Sequence, residues 1–266
     1  IEKEDATFAV ENNKRIAATL NALKKFLKNA QLYEYYKSEN RSFIPLYFIA
    51  YHIFHSNKPT EQLENIFDNF DTRNLDFKNL YKWIYLSLLS GVFKSKGAGW
   101  IPYKTGIRKI LFAIKNHKGK PFPIQELFNV YKYHPVYFYE NFDESNINLL
   151  DSNFLFFIIY DRQEVTRLQD TDHIHPYHLL EQKGYNYNER NTVENYQLLD
   201  SGTNRGLKNG KSLKEWITNN VPNRELYIKR HIIPKDETLW DIDKYKEFLN
   251  SRRELIIAKI NSVLSI

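Results

Sequence analysis

The chain of 266 residues contains no cysteine and no methionine. The first absence removes disulfide frameworks, Cys-ligated zinc, iron–sulfur clusters and a cysteine nucleophile together. The second, which includes the initiator, reads as a piece of a longer protein. No apolar run approaches the ~18 residues of a membrane span. The strongest, Ile44–Phe54 and Phe154–Tyr160, are short and carry polar atoms. A basic, apolar, small-residue secretory signal is absent from the N-terminus. Glycine-rich phosphate loops of the P-loop or Rossmann type and the G-x-S-x-G turn of serine hydrolases are absent too, as are internal repeats and low-complexity tracts. What is present is ordinary: 26% charged and 42% hydrophobic residues. That fits a cytosolic-type globular protein of one or two domains.

Thirty-eight Lys and Arg against 32 Asp and Glu give a formal charge of +6. The excess is modest, but its distribution is informative. Between residues 205 and 230, Arg205, Lys208, Lys211, Lys214, Arg224, Lys229 and Arg230 face only Glu215 and Glu225. A block of this kind is either a phosphate footprint or a solvated helix face. The 19 Tyr and 18 Phe sit mostly among Leu and Ile, which favours core packing over base stacking.

Residues 1–160 read as mostly helical. Phe8, Ile16, Leu20, Leu23 and Leu27 fall near helical spacing, so one face of 8–31 is expected to be buried. Ile44–Ser56 reads as a buried helix, and Lys58-Pro59-Thr60 opens another. Leu80–Leu89 is strongly apolar and ends at Ser90-Gly91. Lys94–Gly106, which contains Trp100 between Lys96 and Lys104, has the composition of an exposed loop. Further helices are expected at 107–117 and 123–133, and Asn153–Asp161 favours helix over strand. From Thr166 to Leu199 the texture changes to short apolar–polar alternations with histidines and asparagines, the pattern of a loop-rich hairpin. Lys211–Thr218 and Trp240–Leu264 return to helix, the latter with Trp240, Tyr245, Phe248, Leu255, Ile256 and Ile260 as its apolar positions.

The chemistry concentrates in Asp172-His173-Ile174-His175-Pro176, then Glu194-Asn195-Tyr196-Gln197-Leu198-Leu199, then Asn204-Arg205-Gly206-Leu207-Lys208. Each alone has a bland reading as a turn or an exposed loop. Together they describe a site. Asp172 and His173 would point to opposite faces of an ideal strand, so both serve one centre only if the strand ends there, with Pro176 supplying the bend. A return strand at Tyr196–Leu199 and a loop opened by Asn204 would then bring Asp172, His173 and Asn204 to one end of the unit. A carboxylate and an amide oxygen are hard ligands suited to Mg²⁺ or Mn²⁺. Such a cation stabilises charge on a scissile phosphate and a leaving 3′-oxygen. A neutral imidazole beside it takes a proton from water near pH 7, and Arg205, Lys208 and Lys211 would hold flanking phosphates.

D-H-I-x-P, an Asn before a short apolar strand, and N-R-G-x-K together resemble the His-Asn-His (HNH, ββα-metal) endonucleases. Asparagine stands here in place of the third histidine, as in the HNH domain of RNA-guided CRISPR nucleases. The resemblance implies His173 as general base, Asp172 and Asn204 as metal ligands, and Asn195 as the asparagine that braces the two sides of the motif. A wider similarity runs through F-L-F-F-I-I-Y-D, N-Y-Q-L-L-D-S-G-T-N-R, K-E-W-I and H-I-I-P-K-D…W…F-L…R-R. It resembles the C-terminal half of GmrSD-type, type IV restriction endonucleases and related phage-defence proteins. Their N-terminal half is a ParB-like nucleotide-hydrolysing domain with a D-G-Q-Q-R motif, which does not occur here.

The expectation is therefore a mainly α fold with an embedded ββα-metal unit. Residues 1–162 form a helical region for DNA grip or for docking the missing domain, 163–218 the nuclease unit, and 219–266 a C-terminal helical extension packing on it. The expected activity is metal-dependent hydrolysis of foreign DNA by a cytoplasmic enzyme, with RNA left open as substrate. The rival is a nucleic-acid-binding or interaction module that does not cut without a partner domain. A zinc site at His173, His175 and His178 is disfavoured by the lack of Cys and of a second ligand pair; His175 and His178 read as loop histidines.

Overall fold

A chain rich in Leu and Lys, with only nine glycines and nine prolines, favours helix. Among its described residues the computed structural model is mainly helical, with a two-stranded antiparallel sheet. It describes residues 3–37, 41–68, 73–93, 106–131, 139–162 and 169–266. The expected loop at Lys94–Gly106, Trp100 included, lies outside them but for Gly106. The chain divides into two compact units, Ile1–Glu140 and Asn141–Ser265.

The first unit contains α1 (Lys3–Glu11), α2 (Asn13–Asn29), α3 (Tyr33–Lys37), α4 (Ile44–Phe54), α5 (Thr60–Leu63), α6 (Leu75–Leu89), α7 (Arg108–Asn116) and α8 (Ile124–Tyr131). Its core is aromatic: Trp83 of α6 lies 5.9 Å from the Phe48 ring and 5.2 Å from Phe122, and Phe26 of α2 lies 5.4 Å from both Phe67 and Phe77. Two polar side chains tie the helices together. Asp76 accepts hydrogen bonds from the Phe122 amide at 2.8 Å and meets His52 Nε2 at 2.9 Å. Arg15 donates to the carbonyls of Phe54, Ser56 and Lys58, closing the C-terminal end of α4, whose last carbonyls have no helical partner. The buried face of 8–31 differs from expectation. Thr19, Ala22, Leu23, Phe26 and Leu27 are buried, whereas Phe8 and Leu20 are exposed. The helix breaks at Asn12, so Phe8 belongs to a separate helix, and packing of α2 on α4 and α5 rotates the buried stripe off Leu20.

The second unit starts before residue 163. Its α9 (Ser152–Ile159) is capped by Asp151, which accepts from the Phe154 amide, and Phe154 through Ile159 are all buried. β1 (Gln169–His173) pairs antiparallel with β2 (Tyr196–Asp200), so that Asp172 faces Gln197 and His173 faces Tyr196. Between the strands lie α10 (Tyr177–Gln182) and α11 (Tyr187–Arg190), joined through Gly184 at φ +85°, with open space around it. The expected hairpin is thus two strands joined by a helical connection. A π-helical turn, Thr203–Lys208, follows β2. Then come α12 (Leu213–Asn220), α13 (Arg224–His231) and α14 (Tyr245–Leu264).

Two strands alone are marginal in water. Here they border a core of Ile174, Leu180, Leu213, Trp216, Ile217, Ile233, Trp240, Tyr245, Phe248 and Leu249. The expected helix at Trp240–Leu264 starts later, because Asp236 and Asp241 cap two short 3₁₀ turns first. Leu255, expected inside, is exposed, and Arg252 is buried instead.

Candidate active site

Register alone puts Asp172 and His173 on opposite faces of the hairpin, since directly paired residues share a face and neighbours alternate. β1 does end at His173, but Pro176 opens α10 and does not turn the two side chains together.

On one face, His173 Nε2 lies 2.9 Å from Asn191 Oδ1. The amide orientation of Asn191 is fixed by its Nδ2, which donates to the Tyr187 carbonyl at 2.8 Å. Its Oδ1 also accepts from the Tyr196 hydroxyl. An acceptor at that position makes Nε2 the protonated nitrogen of neutral His173 and leaves the Nδ1 lone pair as the base. The edges of Tyr177 and Tyr196 flank the ring, at 5.4 and 5.0 Å. Burial holds the imidazole below its ordinary pKa, against the opposing pull of Asn191 and Asp172.

On the other face, Asp172 Oδ2 accepts from Gln197 Nε2 at 2.8 Å and pairs with Lys208 Nζ at 2.7 Å. Gln197 is in turn held by the Tyr227 hydroxyl on its Oε1. Lys208 also donates to the His173 carbonyl at 2.5 Å, so one ammonium joins both residues of the pair. It is only 2% exposed. Burial pulls its pKa down while the Asp172 charge pulls it back. The sequence placed Lys208 on a flanking phosphate; its ammonium is instead spent inside the protein. Arg205, 77% exposed, touches Asp170 at 3.2 Å and remains accessible to an anion. Lys211 donates to the Leu207 carbonyl and lies over the Trp216 ring.

Asn204 sits on the same turn as Arg205 and Lys208. Arg205 and Lys208 both reach β1, so the turn runs back along the Asp170–Asp172 face. Among the described residues no hydrogen bond joins Asn204 to Asp172. Nor does any group of three or more His, Cys, Asp or Glu side chains there form a cation cluster. The donor set nonetheless suits a hard cation: Asp172 Oδ1 has no hydrogen-bond partner among the described residues, and the Asn204 amide lies on the adjoining turn.

Asn195 is fully buried and clamps the ends of the inter-strand connection. Its Oδ1 accepts from the His175 amide at 2.9 Å, and its Nδ2 donates to the carbonyls of His175 and Arg190. Its own carbonyl accepts from Ile174. Behind it, Glu194 is held by Asn148 and Arg253, and Arg252 donates to the carbonyls of Val193, Glu194, His231 and Ile232. The sequence reading missed Asn191, Gln197, Tyr227 and Arg252. Only Gln197 left a signal, as the residue that strand pairing would set opposite Asp172.

His175 lies on the short loop between β1 and α10, as expected, but its side chain is buried in the core. Its ring lies against Phe248 at 4.6 Å and Tyr245 at 5.5 Å, and neither ring nitrogen has a hydrogen-bond partner among the described residues. His178 is exposed on α10. His231 meets Tyr160 Oη at 2.8 Å. Burial pushes both His175 and His231 down to about 3. In the unfolded chain each titrates near 6.5, so between the two values the unfolded state binds more protons and stability falls as pH falls. Each histidine is expected to withdraw about 1.4 kcal/mol per pH unit below 6.5. Thermal unfolding at pH 7 and pH 5 checks this; an unchanged midpoint would show that these rings are not held neutral.

Compared with known proteins, the chain matches no family model and no curated protein.

Proposed function

We propose that the chain is a metal-dependent DNA endonuclease, with a ββα-metal unit over residues 163–218 and His173 as its general base. The observation that carries this reading is the state of His173. It is neutral, oriented through Nε2 by Asn191, and its Nδ1 is left as the basic atom at the end of β1. Nδ1 takes a proton from the attacking water. Asp172 Oδ1 and the Asn204 amide would hold Mg²⁺ or Mn²⁺, which when bound stabilises charge on the scissile phosphate and the leaving 3′-oxygen. Asn195 fixes the hairpin that carries His173, and Arg205, with the basic stretch to Arg230, holds the DNA backbone. The products would be 5′-phosphate and 3′-hydroxyl ends. Residues 1–162 would contribute DNA grip or docking of a ParB-like nucleotide-hydrolysing partner, and the biological setting would be restriction of foreign DNA in the cytoplasm.

One observation favours a second reading. Asp172 is already paired with Lys208, as expected of a binding module that does not cut without a partner domain.

Plasmid cleavage by the purified chain separates the two. With Mg²⁺ or Mn²⁺, supercoiled DNA is expected to become nicked or linear, and EDTA to abolish the conversion. Hydroxymethyl- or glucosyl-cytosine DNA and RNA serve as parallel substrates. DNA binding without cutting on any substrate would select the second reading. Neither binding nor cutting would overturn both.

A further inference from the structure

The charge balance at Asp172 carries an inference about how a cation would arrive, and it rests on the endonuclease reading above. A site made of one carboxylate and one neutral amide has a net charge of −1 before anything binds. Here a buried ammonium lies 2.7 Å from that carboxylate, so the charge is already cancelled. Oδ2 is fully engaged, by Lys208 and by Gln197. Lys208 is itself anchored by the His173 carbonyl, so it does not swing out at no cost. A divalent ion approaching Oδ1 therefore meets no net attraction and a cation a few ångströms away.

Mg²⁺ sheds water reluctantly and usually binds through one or two carboxylates together with substrate phosphates. What this site lacks is a negative charge and further oxygens, and a DNA phosphodiester supplies both.

We infer that the protein captures its divalent cation together with the DNA phosphate, and that Lys208, by neutralising Asp172, keeps the site empty of metal until the substrate is present. Lys208 is thus a positioning and charge-balancing residue that does not touch substrate. Its pairing with Asp172 makes metal and DNA binding mutually dependent: each raises the affinity for the other by the same factor.

Mn²⁺ titration followed by the electron-spin-resonance signal of the free ion tests this without reference to cleavage. A His173→Ala background slows DNA hydrolysis so that the duplex outlasts the titration, and leaves the residue 173 carbonyl in place. The protein alone is expected to bind Mn²⁺ at least about tenfold more weakly than the protein with a short duplex, after subtraction of the duplex's own binding. Adding Lys208→Gln is expected to tighten Mn²⁺ binding by the protein alone by about tenfold and to shrink the effect of the duplex. Equal Mn²⁺ affinity with and without duplex would overturn the inference, whatever the fate of the variant. A folded Lys208→Gln protein with unchanged or weaker Mn²⁺ binding would overturn it as well. No Mn²⁺ bound in any state would overturn the metal-dependent reading itself, a different failure from the other two.

Discussion

Replacing His173 with alanine is expected to slow DNA cleavage by about a hundredfold to ten-thousandfold, the range that a positioned general base supplies. DNA binding is expected to survive. The imidazole makes one side-chain hydrogen bond, to Asn191, and packs its faces against Tyr177 and Tyr196, so its loss removes only about 1 kcal/mol of stability. The contacts that shape the rest of the site do not use the ring: Lys208 binds the backbone carbonyl of residue 173, and Asn195 binds His175 and Arg190. Single-turnover cleavage measured beside DNA binding and thermal unfolding checks the prediction. A variant that cuts at the parent rate would remove His173 from the chemistry. One that loses DNA binding would assign it to grip.

Arg252→Met is expected to cost about 3–5 kcal/mol of folding stability, since each buried carbonyl left without a donor costs about 1–3 kcal/mol. Arg252 has no solvent exposure, and its guanidinium donates to four main-chain carbonyls from two segments, Val193–Glu194 and His231–Ile232. Burial lowers its pKa to about 10, which still leaves it charged at pH 7. Methionine fills much of the same volume but donates nothing, so the carbonyls of Glu194, His231 and Ile232 lose this donor and Val193 keeps only the Tyr196 amide, and each unsatisfied group is costly. Arg252→Lys keeps the charge without the planar fork and is expected to recover only part of the loss. Urea denaturation gives the number. A loss below about 1 kcal/mol would mean that the carbonyls find other donors and that Arg252 is not the strut behind Asn195.

The helices that the sequence made legible are those whose burial is carried by apolar side chains. Leu80–Leu89 falls in α6, and Asn153–Asp161 falls on α9, with Asp151 as its cap. Legibility ends where polar groups do the packing. Arg252 occupies a core position of α14, but a charged residue in a helix reads as solvent-facing, and carbonyls that would satisfy it come from segments that no local pattern connects. β1 reads Gln-Asp-Thr-Asp-His, with no apolar alternation; pairing with β2 and the contacts of its acidic side chains make it a strand. At the site, residue types and order were readable, but the side-chain pairings were not. Asp172 looked like an open ligand and Lys208 like a surface cation because their ion pair depends on a turn folding back along β1, a tertiary event.

Asn195 has a consequence for how such a protein changes over evolutionary time. A single side chain ties both ends of the connection between β1 and β2, and the distal part of that connection turns at Gly184, where nothing crowds the backbone. Loop length therefore drifts at little energetic cost, since doubling a flexible loop adds only about 0.6 kcal/mol of closure entropy. Residues gained or lost at that bend leave the pairing of His173 with Tyr196 in place. Descendants of one ancestor would then keep the same knot while the interval between its histidine and its asparagine varies from lineage to lineage, and a search that fixes that interval would pass them by.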